Sequence, residues 1–208
     1  MRIRFPLLSR AAVGMPGGAA AAIQPPATAP PAAGEADTAS RWSTPSSYLS
    51  QWDERARFVA KTLIPPGSAV LDLGCGRMAL EQFLPPGCTY VPADLAPWAP
   101  HVLPVNLDAD EYPAGSYDIT VMLGVLSYLR NPRQVLMRAR HHSKTLILSF
   151  AHPRSIVPSR SDRKAGKVNH FRPRKLVRIL GATGWCLDKT IRYRRSREHN
   201  ELIYLMHR

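Results

Sequence analysis

Val70-Leu71-Asp72-Leu73-Gly74-Cys75-Gly76 reads as a short apolar strand that ends in an acid and runs straight into a glycine turn. Glycines at the end of a buried strand let the chain turn sharply and leave no Cβ between backbone and ligand. A helix starting just after them would aim its N-terminal amides at the same space. Asp72, two residues before the first glycine, adds a carboxylate. That charge suits a ligand bearing positive charge or several N–H and O–H donors, and suits a pyrophosphate badly.

Outward from this stretch, the pattern alternates. Leu49, Trp52, Ala56, Val59 and Leu63 recur at helical spacing behind Thr44-Pro45, and Pro65-Pro66-Gly67 stops them. Strands are predicted at about 68–73, from Cys88 to Asp94, 102–106, 117–123 and 144–150. Helices are predicted over Met78–Leu84, from Pro132 to about Arg140, and from Pro173 to Gly181 or Gly184. Pro97 and Pro100 leave no room for a normal crossover helix after the second strand. Trp185–Tyr193 and Glu201–His207 close the chain as an antiparallel hairpin. Alternation implies an α/β fold: a doubly wound, mainly parallel seven-stranded sheet with helices on both faces.

Residues 11–34 hold 10 Ala, 5 Pro and 4 Gly, too little apolar surface to offset ordering entropy. Residues 1–42 therefore read as a disordered extension, an over-long start with Met15 as one alternative, and 43–208 as the folded domain. The three cysteines form no paired motif and read as reduced, partly buried thiols of a cytoplasmic protein. No metal site is expected. No apolar run reaches the 18 residues of a membrane span.

Charge is skewed along the chain. Residues 1–129 carry 8 Lys and Arg against 11 Asp and Glu, net −3, whereas residues 130–208 carry 20 against 4, net +16. An electropositive half attracts an anionic partner.

D-x-G-x-G after an apolar strand resembles the first motif of class I S-adenosylmethionine-dependent methyltransferases. The resemblance implies a Rossmann-like methyltransferase fold and S-adenosyl-L-methionine as cofactor. The cofactor-binding set it implies is Asp72, Gly74, Gly76, Asp94, Leu95, Leu107, Asp108 and Leu123. Asp72 would help hold the methionine amino end. Asp94, ending the second strand 18 residues after Gly76, would accept the ribose hydroxyls. Asp108, or Asn106 two residues earlier, would meet the adenine amino group. Asp118 has a structural counterpart, and Trp98 reads either as a cover for the ribose or adenine edge or as a plain packing aromatic.

The chain departs from the family in two places. Arg77-Met78 replaces a third glycine, and His141-His142-Ser143 replaces a Pro-Gly-Gly turn. Gly74-Cys75-Gly76-Arg77-Met78-Ala79 also fits the looser G-x-G-x-x-G/A dinucleotide fingerprint. An NAD(P)-linked oxidoreductase is thus a second reading. A non-catalytic nucleic-acid-binding protein with a relic pocket is a third.

Residues 151–172 carry no family motif and read as one long loop, a functional lid or a disordered segment. They hold Arg154, Arg160, Arg163, Lys164, Lys167 and Arg172 after the fifth strand, where substrates enter. A basic rim over 154–175 implies an anionic acceptor: a nucleotide-sugar, glycan, lipid headgroup or RNA. No catalytic residue is assigned, with His170 and Tyr128 as candidates for a base.

Overall fold

A computed structural model describes Trp42 and residues 51–155, 159–196 and 199–208. The expected leader lies outside the described residues, apart from Trp42. The described strands form one seven-stranded sheet. They are β1 (Ala69–Leu73), β2 (Thr89–Asp94), β3 (Leu103–Pro104), β4 (Tyr117–Leu123), β5 (Ser143–Pro153), β6 (Cys186–Arg195) and β7 (His199–His207), in the order β3-β2-β1-β4-β5-β7-β6. The first five pair in parallel, and β7 runs antiparallel between β5 and β6. This is the doubly wound sheet with a terminal hairpin that the alternation implies.

Four described α-helices accompany the sheet: α1 (Gln51–Leu63), α2 (Pro132–His142), α3 (Arg160–Lys164) and α4 (Pro173–Ala182). α1 buries Ala56, Val59 and Ala60 in one core with Val70, Val121 and Ile203. α2 and α4 bury Val135, Leu136, Leu176 and Leu180 in a second core with Leu71, Met122 and Leu148. Odd and even residues of the central strands thus feed opposite layers, which requires strands apolar on both faces. The start of the first helix, with Thr44-Pro45 and Leu49, lies outside the described residues.

Three expectations are corrected. Met78–Leu84 forms no α-helix: a turn leads into a 3-10 turn at Glu81–Phe83. Met78 itself sits at φ 57°, and seven residues before Pro85 are too few to offset helix nucleation. Residues 151–172 are not one loop. β5 continues to Pro153 because β7 pairs with it as far as His199, and α3 follows. The third strand shrinks to two residues. Cys186 is exposed on the edge strand, whereas Cys75 is buried.

Candidate active site

Parallel strands leave their carboxyl ends open at the point where strand order reverses, and ligands bind there. In this sheet that point lies between β1 and β4. A cleft of about 990 Å³ opens beside it, at the upper end of the roughly 300–1,000 Å³ usual for ligand pockets. All eight residues of the expected cofactor set line it: Asp72, Gly74, Gly76, Asp94, Leu95, Leu107, Asp108 and Leu123.

The inner half is acidic. Asp72 is 4% exposed, and its Oδ2 accepts the Tyr90 hydroxyl at 2.7 Å. Burial pushes its carboxyl up to about 7. Asp94 adds to the rise, while the Tyr90 hydrogen bond and Arg55 oppose it. Asp94 accepts Gly76 N–H at 2.8 Å on Oδ2 and Ala96 N–H at 3.0 Å on Oδ1. Burial raises its carboxyl as well, against those backbone hydrogen bonds. Asp94 therefore fixes the glycine turn while keeping lone pairs toward the cleft. Gly74 has φ 73°, and a Cβ there would lie 2.4 Å from Val125 Cγ2. Only glycine fits between strand end and cleft wall.

Asp108 lines the cleft, but its Oδ1 accepts Arg130 N–H at 2.7 Å and Asn131 N–H at 3.3 Å, anchoring the start of α2. Asn106 accepts Asp108 N–H and also faces the cleft. Asp118 ties Ala69 N–H at 2.9 Å and Lys144 at 2.8 Å, a structural role outside the cleft. Trp98 lines the inner half under the Arg77 guanidinium, 5.4 Å from the ring centroid.

The outer half comes from segments with no motif. Arg55 of α1, 8% exposed, donates to Glu201 of β7 at 2.5 Å and to the Leu123 carbonyl at 3.1 Å. Ser149 also donates to Glu201. Two residues up the same strand, His199 Nε2 lies 2.9 Å from both oxygens of Asp162. Asp162 is buried, which pushes its carboxyl up. Hydrogen bonds from Lys167 (2.6 Å), His199 and Ser159 outweigh that and hold it well below the usual carboxylate range. An ionised Asp162 requires His199 Nε2 to donate, which in a neutral imidazole leaves the lone pair on Nδ1. Backbone bonds from Val168 and Asn169 to the Ser127 carbonyl hold this segment over the cleft.

Of the expected rim, Lys164 and Lys167 reach the cleft, whereas Arg154, Arg160, Arg163 and Arg172 do not line it. Arg194 does, donating to Gln51. Of the two candidate bases, Tyr128 lines the cleft and His170 does not. Trp42, the last residue of the expected extension, packs on Tyr128 with ring centroids 5.0 Å apart.

The family described as "Methyltransferase domain" matches residues 46–190. The chain belongs to the methyltransferase-domain family. That match decides between the two cofactor readings of the Gly74–Gly76 turn. The fold is shared with the N-methyltransferase NodS from Bradyrhizobium japonicum WM9, solved with S-adenosylhomocysteine: TM-score 0.60, 15% identity, 83% of this chain and 97% of that one. It is also shared with the cyclase SpnF (TM-score 0.59, 15% identity, 74% and 80% covered). The pyocyanin biosynthetic protein PhzM aligns at TM-score 0.58 and 14% identity, covering 74% of this chain and 54% of that one. The chain thus spans about half the length of PhzM. No curated protein matches it in sequence. Identities this low show the fold alone, and SpnF is named for a different reaction. Among the described residues, no helix is long and apolar enough to cross a membrane.

Proposed function

We propose that this methyltransferase-family chain binds S-adenosyl-L-methionine in the inner half of the cleft and methylates an anionic acceptor in the outer half. The observation that carries the reading is the lining of one continuous cleft, which brings Asp72, Asp94 and Asp108 from the ends of β1 and β2 and the turn before β4 together with Arg55, Lys164, Lys167 and Arg194, against Asp162 and Glu201.

The residues present fit the cofactor. Asp94 offers lone pairs suited to vicinal ribose hydroxyls, and Asp72 a carboxylate suited to an ammonium group. Gly74, by lacking a Cβ, lets Val125 pack directly against the turn that borders the cleft. When bound, the cofactor supplies an activated methyl group on a sulfonium, so alignment does much of the catalysis. The chain's own contribution is positioning and proton removal. Leu123 and Val125 supply apolar wall to the cleft. His199, which lines the cleft, would take a proton from the acceptor's O–H or N–H through Nδ1, and Asp162 would stabilise the imidazolium that results.

Thermal melts with S-adenosylhomocysteine, NAD and NADP test the reading. S-adenosylhomocysteine should raise Tm by mass action and the dinucleotides should not. A shift with NAD alone would remove the proposal.

A further inference from the structure

Three of the four tryptophans line the cleft rather than fill the core: Trp42, Trp52 and Trp98. Trp185 alone is buried in the core. The usual reason for placing so large an apolar ring is core burial, yet Trp42, Trp52 and Tyr128 belong to neither core cluster. They stand together instead. Trp42 meets Tyr128 edge-on, centroids 5.0 Å apart and planes at 78°, and meets Trp52 at 6.1 Å with planes at 50°. All three are only half-buried, and all three line the cleft. Their elements differ: Trp52 comes from α1, Tyr128 from the turn after β4, and Trp42 from the segment before α1. Local sequence therefore does not explain the grouping.

Across the same space stand cations. Lys164 makes no ion pair among the described residues, and Arg194 donates only to the neutral side chain of Gln51. Lys167, by contrast, is neutralised by Asp162 at 2.6 Å. An aromatic wall facing uncompensated cations selects a flat ring that carries an acidic group. A sugar phosphate would meet the charge but waste the rings. A neutral arene would meet the rings but leave Lys164 unused.

We infer that the outer half of the cleft is a binding site for a planar aromatic acid, its ring packed on Trp52 and Tyr128 and its anionic group on Lys164. This rests on the two-halved cleft proposed above and narrows the acceptor class. His199 lines the same half, so the ring substituent to be methylated is an ionisable O–H or N–H. A nucleobase with its phosphate shares the chemistry of flat ring plus anion. Part of the cleft's roughly 990 Å³ goes to the cofactor, and the remainder suits a free small molecule.

The test uses the full chain saturated with S-adenosylhomocysteine and ligand-observed NMR titrations. The probes are 1-hydroxy-2-naphthoate, the non-planar decahydronaphthalene-2-carboxylate, neutral 1-naphthol and cytidine 5′-monophosphate. The naphthoate should bind most tightly. Trp52→Ala should weaken it roughly tenfold, the worth of a good aromatic contact, and Trp52→Phe should restore most of the loss. Lys164→Ala should weaken the naphthoate but not 1-naphthol, and the difference should shrink as salt rises. S-adenosylhomocysteine affinity in each variant reports that the fold is intact. Equal binding of the decahydronaphthalene acid, or no effect of Trp52→Ala, would overturn the inference. So would binding of the nucleotide without the naphthoate. Failure of S-adenosylhomocysteine itself to bind would instead remove the cofactor reading beneath it, and the inference would fall with it.

Discussion

Arg55 and Glu201, 146 residues apart in sequence, meet at 2.5 Å beneath the cleft. Their bond ties α1 to β7, and the second Arg55 contact, to the Leu123 carbonyl, brings the end of β4 into the same knot. One ion pair thus fastens the wall carrying Trp52 to the strand carrying His199. Arg55 Nε is buried and has no hydrogen-bond partner among the described residues. Arg55→Ala should cost about 1–3 kcal/mol by leaving the half-buried Glu201 without its ion-pair partner. Replacing both, Arg55→Met with Glu201→Leu, should recover most of that in urea denaturation. A double variant as unstable as the single one would show that the pair is a net source of stability.

Asp72 gives a pH signature. Its carboxyl rises from an unfolded value of 3.8 to about 7 in the fold through burial. Between those values the folded state holds a proton that the unfolded state has lost, so stability falls as pH rises from about 4 to about 7. Asp72→Asn removes the effect. It should match wild type near pH 4 and exceed it by roughly 2–4 kcal/mol at pH 8. Wild-type affinity for S-adenosylhomocysteine should meanwhile strengthen as Asp72 ionises, and the variant should lose that dependence. Parallel stability profiles for the two proteins would contradict this account of Asp72.

The inner half of the cleft was legible because its chemistry is local. Asp72, Gly74 and Gly76 lie within five residues at one strand end, and Asp94 ends the adjacent strand, so spacing alone suggests that they converge. The outer half is tertiary. Glu201 and His199 belong to the last strand, and Arg55 to the first described helix. Asp162 looked like one acid in a basic loop, and only the fold reveals that it is buried between Lys167 and His199. The alternation of apolar residues in β7 gave no sign that its start would face a ligand. A sequence signal did exist for the aromatic wall: Trp42 and Trp52 lie outside any strand pattern, and Tyr128 follows the end of the fourth strand. Helical propensity misled at Met78–Leu84, where turn geometry on either side outweighed it.

Met78 occupies a left-handed conformation at φ 57°, near where the family motif carries its third glycine. A side chain held there costs about 1–2 kcal/mol. Met78→Gly should therefore leave Tm unchanged or raise it, even though glycine lowers stability at most positions. Chemical denaturation decides, and a loss above about 1 kcal/mol would mean that Met78 packing outweighs the strain.

At Gly74 the expectation is opposite. The added methyl of Gly74→Ala would press on Val125 at 2.4 Å and force a left-handed alanine. The variant should melt lower and lose S-adenosylhomocysteine binding. Full binding by a folded Gly74→Ala protein would show that the turn does not border the ligand.

Calorimetric titration of S-adenosylhomocysteine into wild type and Asp94→Ala tests the central claim most directly, because Asp94 is the carboxylate assigned to the ribose. The account predicts saturable one-to-one binding to wild type. Loss of two hydrogen bonds to a charged acceptor should weaken the variant roughly a hundredfold. Equal affinities in the two proteins, or no binding to wild type, would contradict it.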